Sequence, residues 1–324
     1  MVWNDAHKNS VTIDTGLWNK YIMATCNAYP KFWKRWANGE VKARDLRLFN
    51  PGETPVATNN APVLMQAMIE SHVKPNFRTY ELLLLYFAQQ TDVDSVRRVV
   101  ETIWGISMKS KNDVSPIFKG SHMFPELSTL TALVNGFAVN DKLIEGLYYM
   151  DRMRSQFGID VTNNASIHLW GTILNWILLT REPKGHTPPE VFDKIWALMT
   201  EAYNIKPNSL MYRARARHLL SRRDYEGLIA DIPQILGSDV EFAAEVASLN
   251  LKRAAQGYAR QGKVDKALAL VEKWAQVGPA FAAVKDKVTE YINTSTLVSK
   301  QMEIAGNERH HHLEMEGELA GTSH

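Results

Sequence analysis

The chain has 324 residues, of which 45% are hydrophobic and 22% charged, with a formal net charge of +2 and one cysteine. That apolar fraction is enough for a large core, which excludes global disorder, and the length suits about two ordinary domains or one elongated repeat array. A lone Cys26 excludes an intramolecular disulfide framework and a multi-thiolate zinc site. The charge divides into a body of +6 over residues 1–300 and a tail of −4 over 301–324, a balance that permits a polyanionic ligand without demanding one.

Residues 1–16 read as an N-terminal extension. They have neither the apolar core of a secretory signal nor the arginine-rich amphipathic character of a transit peptide, so no transit peptide is visible. Two cases stay open: the protein stays where it is made, or the chain starts after a removed presequence. A first helical unit is expected from residues 18–28 with 62–71, stretched by an insertion over 30–60. Inside that insertion Lys31, Trp33, Lys34, Arg35 and Trp36 interleave basic and aromatic side chains. Charge plus stacking of this kind grips a single strand, while the helical spacing of Phe32, Trp33 and Trp36 equally suits anchoring the insertion to the core.

The strongest internal signal follows. Val73-Lys74-Pro75-Asn76-Phe77-Arg78-Thr79-Tyr80 and Ile205-Lys206-Pro207-Asn208-Ser209-Leu210-Met211-Tyr212 share the pattern [VI]-K-P-N-x-x-x-Y. Proline stops the preceding helix, asparagine caps the next, and the tyrosine falls on its first turn. After Asn76 a helix over 79–90 carries Tyr80, Leu83, Leu84 and Phe87 at 3.6-residue spacing, and a second carries Val93, Val96, Val99, Val100, Ile103 and Trp104. Residues 127–140 with 142–157 repeat the unit after an insertion over 107–125. A degenerate copy spans 165–180 and 189–203, with a further insertion over 180–189. A last copy spans 241–261 and 262–274. Gly136-Phe137 and Gly257-Tyr258 stand at matching places, where a glycine lets two helices approach and an aromatic fills the space beside it. From about residue 294 the apolar period fades.

These patterns predict an all-α fold, an α-solenoid of about six stacked helix-turn-helix repeats with insertions. The expected organisation is an extension over 1–16, the solenoid over 17–290, and an acidic tail over 291–324. No run approaches the roughly 18 apolar residues that a membrane-spanning helix requires.

On these residues the chain resembles the pentatricopeptide repeat proteins, RNA-binding α-solenoids of organelles. The clearest segment is 73–106, and the resemblance covers 17–277. The tyrosine-equivalent residues Trp18, Tyr80, Leu130, Tyr212 and Leu251 are separated by 62, 50, 82 and 39 residues, against a family repeat of about 35. The long units and Leu17-Trp18-Asn19-Lys20-Tyr21-Ile22 look most like fungal mitochondrial expression factors, including the ATPase-expression group. The resemblance implies a mitochondrial matrix protein that binds single-stranded RNA and supports the stability or translation of a transcript for ATP synthase or another respiratory complex.

It also implies contact residues. The family's main specificity position follows the tyrosine-equivalent and holds Asn19, Glu81, Thr131, Arg213 and Lys252. Asn19 and Thr131 match its usual hydrogen-bonding choice. Glu81 departs from it and is expected to repel phosphate, whereas Arg213 and Lys252 favour backbone charge over base identity. The second position, the last residue before the next repeat, holds Asn76, which a helix cap explains equally well. Arg213 and Arg217 share a helical face, suited to phosphate or to solvent.

Catalytic constellations are absent from the sequence: there is no phosphate loop, dinucleotide fingerprint, zinc-protease motif or nucleophile elbow. His310, His311 and His312 adjoin in the tail without a geometry that would hold a metal. The expectation is therefore a non-enzymatic protein without cofactor or metal. Its alternative reading is a protein-binding scaffold, either a mitoribosome component or a respiratory-complex assembly factor, favoured by the loose spacing and by Glu81.

Overall fold

A computed structural model describes residues 13–26, 60–108, 117–179 and 189–294, and among these every regular element is helical. In chain order they are α1 (Thr15–Thr25), α2 (Ala61–Glu70), α3 (Phe77–Gln89), α4 (Val93–Trp104), α5 (Leu127–Ala138), α6 (Leu143–Phe157), α7 (Ile167–Leu179), α8 (Pro189–Ala197), α9 (Ser209–Ser221), α10 (Tyr225–Leu236), α11 (Ala243–Arg260) and α12 (Val264–Ala275). A further helix, α13, spans 279–294. The expected pairs are all present, α1 with α2 through α11 with α12, and the class is the all-α solenoid that the periodicity predicts. The chain divides into two compact units, residues 1–214 and 215–324, with the boundary inside α9.

Side-chain caps start many of these helices. Asp14, Asn76, Asp92, Asn208 and Asp224 each accept a hydrogen bond from the backbone N–H three residues on, satisfying a donor that the helix itself leaves open. Both repeated motifs thus begin a helix with their asparagine, as their spacing predicts. The turns inside the pairs are equally uniform. Thr91, Asp141, Arg223 and Gly262 occupy the left-handed region, with φ of 58°, 58°, 58° and 75°. Only Gly262 suits that conformation without a steric penalty, and β-branched Thr91 suits it least. Replacing Thr91 by Gly is expected to raise the unfolding free energy by about 1 kcal/mol, read from a urea melt.

In unit 1 the first helix of a pair packs on its own partner and on the first helix of the next pair: α3 on α4 and α5, and α5 on α6 and α7. This continuity is what lets short helices bury both faces. Leu84, Val96, Val100, Leu130, Leu133 and Phe137 are buried at these contacts. Buried tryptophans fix the connections through their indole N–H groups. Trp104 donates to the Met123 carbonyl at 3.1 Å, and Trp176 donates to Asn135 Oδ1 at 2.6 Å, tying α7 to α5. In unit 2, α10 and α12 pack on α11, and Ala216, Leu219, Leu228 and Ala254 form a core cluster.

Helix α13 has no counterpart in the repeat reading. Its stripe of Phe281, Val284, Val288 and Ile292 is buried, and Phe281 stacks on Trp274 at 5.7 Å, so α12 is covered rather than terminal.

Candidate nucleic-acid interface

The residues singled out from the sequence share a register. Asn19, Glu81, Thr131 and Arg213 are each the fifth residue of their helix. Glu81, Thr131, Arg213 and Lys252 each stand ten residues before a left-handed turn residue, Thr91, Asp141, Arg223 and Gly262 respectively. Lys252 keeps the second rule and breaks the first, because α11 starts early and makes it the tenth helical residue. The turn, rather than the cap, sets the register of this repeat.

Asn19 and Asn76, 57 positions apart, are in contact. Asn19 Nδ2 donates to Asn76 Oδ1 at 3.1 Å, and Thr79 Oγ1 donates to Asn19 Oδ1 at 2.7 Å. Asn76 Oδ1 also accepts the Thr79 N–H at 3.1 Å, so Asn76 caps α3 and meets Asn19 with the same oxygen. Capping and pairing are therefore compatible roles. Asn19 is buried and Asn76 half-buried. Their acceptor oxygens are therefore engaged internally.

Glu81 corrects the sequence expectation. Instead of presenting a carboxylate that repels phosphate, it is 3% exposed. Its Oε1 accepts from Ser128 Oγ and Thr129 Oγ1, both at 2.7 Å, and its Oε2 meets Arg78 at 2.6 Å. A charged acceptor satisfied by three donors is a structural tie between α3 and α5. Thr129 stands in α5 where Thr79 stands in α3, so the two junctions are built alike: a threonine hydroxyl donates back to the fifth residue of the preceding first helix.

Thr131 is half-buried, and its hydroxyl donates to the Leu127 carbonyl of its own helix at 2.9 Å. Arg213 is exposed, and Lys252 is half-buried. Arg217 is half-buried, and burial pulls its guanidinium below the ordinary arginine value. The cluster Lys31, Trp33, Lys34, Arg35 and Trp36 lies outside the described residues.

Sequence reasoning missed Thr79, Ser128 and Thr129, although the capping patterns Asn76-x-x-Thr79 and Glu126-x-x-Thr129 carry a signal. It also missed the ion pair of Arg215 with buried Asp231, at 2.9 Å. Burial pushes the Asp231 carboxyl up, and Arg215 opposes that shift. Among the described residues no cluster of three or more metal-ligating side chains occurs, and no helix is long and apolar enough to cross a membrane.

Stacked helix pairs with polar and cationic side chains recurring in one register define a helical-repeat protein. Residues 78–189, from α3 to the start of α8, match the model of the family described as mitochondrial ATPase expression, in keeping with the resemblance drawn from the sequence. The crystal structure of the pentatricopeptide repeat protein PPR10 from maize aligns with a TM-score of 0.48 and 10% identity, over 94% of this chain and 41% of that one. The chain thus spans well under half the length of that protein. No curated protein sequence matches significantly.

Proposed function

We propose that this chain is an RNA-binding helical-repeat protein of the mitochondrial matrix that supports the stability or translation of a mitochondrial mRNA, for ATP synthase or another respiratory complex. The observation that carries the reading is the shared register. Asn19, Thr131, Arg213 and Lys252 recur at one place in the first helices α1, α5, α9 and α11, where the exposed Arg213 and the half-buried Lys252 suit a phosphate. The family match over 78–189 supports the cellular setting.

Anisotropy titrations with a single-stranded oligonucleotide at two salt concentrations test it. Affinity is expected to fall as salt rises. Arg213→Ala and Lys252→Ala are each expected to weaken binding and to reduce the salt slope by about one. Absence of binding at low salt defeats the proposal.

The protein-scaffold reading is favoured by one observation, the use of Glu81 as a structural tie at a register position. It gains if complexes recovered with the full chain, mitoribosomal or assembly-factor in nature, survive ribonuclease unchanged.

A further inference from the structure

We infer that Gly171 is the register residue of α7, and that the register positions of α1, α3, α5 and α7 do not read bases, so that the RNA is held by its phosphates and its base sequence is tolerated. The inference deepens the RNA-binding proposal and rests on it.

The junction contacts locate Gly171. Thr79 and Thr129 are the third residues of α3 and α5, and each hydroxyl reaches back to the fifth residue of the preceding first helix, Asn19 and Glu81. Met211 is the third residue of α9, and Gly171 is the fifth of α7. The atoms nearest to a Cβ built at Gly171 are Met211 Cε at 3.6 Å and Met211 Cγ at 3.8 Å. One contact thus recurs at three junctions, and it supplies the position that the sequence leaves out between Thr131 and Arg213. Trp170 becomes the tyrosine-equivalent of α7, buried like Trp18, Leu130, Tyr212 and Leu251. It divides the 82-residue interval from Leu130 to Tyr212 into 40 and 42, close to the last interval of 39.

What each position offers a ligand follows from its contacts. Asn19 is buried and its amide is tied at both ends, with Oδ1 accepting from Thr79 and Nδ2 donating to Asn76. Glu81 is buried against Ser128, Thr129 and Arg78. Thr131 donates its hydroxyl to its own helix. Gly171 has no side chain, and packing does not impose glycine there. A Cβ would make only ordinary contact with a flexible methionine, and alanine is the more favourable residue inside a helix. At four successive positions the group that would read a base is therefore buried, bonded within the fold or missing. The next two hold cations, the exposed Arg213 and the half-buried Lys252, which attract phosphate whatever the base.

The test is a set of anisotropy titrations of the full chain with labelled single-stranded oligoribonucleotides of one length: oligo(U), oligo(C) and two unstructured mixed sequences. The parent chain is expected to bind all four within about threefold, whereas each base read by hydrogen bonds discriminates by about fivefold or more. Gly171→Lys is expected to tighten every probe by about fivefold at low salt and to steepen the salt slope by about one, and Gly171→Glu to do the reverse. Opposite signs at one position separate a charge effect from a loss of folding. Gly171→Ala is expected to raise the Tm and leave affinity unchanged. A preference of tenfold or more for one probe overturns the inference. So does a weakened Gly171→Ala, which assigns the bare backbone a contact that a methyl blocks, and so does binding indifferent to both charged substitutions, which places Gly171 off the RNA. In each of these cases the parent chain still binds and the RNA-binding proposal stands; absence of binding to all four probes at low salt strikes both.

Discussion

Gly257→Ala is expected to lower the unfolding free energy by about 3 kcal/mol, although an alanine in the interior of an isolated helix gains roughly 1 kcal/mol over glycine. A Cβ built at Gly257 lies 2.2 Å from Tyr225 Cε1 and 2.3 Å from Cζ, distances at which the ring has to move. Its room to do so is limited. Tyr225 stands edge-on to Tyr258 at 5.2 Å. Tyr258 in turn donates to Glu226 at 2.6 Å and lies under the Lys266 ammonium, 4.3 Å from its centroid. Displacing one ring disturbs the contacts of α10, α11 and α12 together. A urea-melt cycle with Tyr225→Ala measures the coupling: in that background most of the Gly257→Ala penalty is expected to vanish. A penalty below about 1 kcal/mol in the parent chain refutes the steric account.

The corresponding glycine behaves differently. Gly136 and Gly257 each stand five residues before a left-handed turn and precede an aromatic, so the sequence marks them as equivalents. A Cβ at Gly136 meets Val96 Cγ1 at 3.6 Å and the Leu84 carbonyl at 3.8 Å, which is ordinary contact. Alanine is tolerated there. The close glycine contact in unit 1 lies instead at Gly146, where a Cβ falls 2.8 Å from Phe137 Cβ.

Those two glycines show what the sequence makes legible. Helix pairs, caps and turns follow from local chemistry: the proline–asparagine boundaries, the 3.6-residue stripes and the polar breaks all appear where the pattern places them. Side-chain contacts between helices depend on crossing geometry, which periodicity does not contain. Gly136 and Gly257 therefore look alike and pack unlike. Asn19 and Asn76 stand 57 positions apart in sequence and touch at 3.1 Å, because α1 packs on α3. Helix α13 is a miss of another kind. Its stripe Phe281, Val284, Val288 and Ile292 is a clear helical pattern, but it falls beyond the last recognisable pair, so the repeat template passes over it.

Glu81→Ala is expected to cost about 3 kcal/mol of stability, and the origin of that loss bears on function. Arg78 has a side chain 51% exposed, so its ion pair contributes at most about 1 kcal/mol after solvent screening. The larger part comes from Ser128 and Thr129. Buried Thr129, with neighbouring Ser128, loses a charged acceptor that nothing nearby replaces. Glu81→Gln keeps an acceptor oxygen and loses the charge, and it is expected to lose about 1 kcal/mol. Oligonucleotide affinity separates the two readings of this position. If the carboxylate opposed phosphate, as its place in the register suggests from the sequence, removing its charge would tighten binding and flatten the salt dependence. A carboxylate buried against α5 is shielded from the ligand, so Glu81→Gln is expected to leave affinity and salt slope unchanged while the melt shifts down. Tighter binding by Glu81→Gln at low salt overturns this assignment. One register position thus serves two ends: at Glu81 it fastens one helix pair to the next, and at Arg213 it leaves a cation in solvent. Under the proposed RNA-binding function, the contacts along the repeats are therefore interrupted at the second pair.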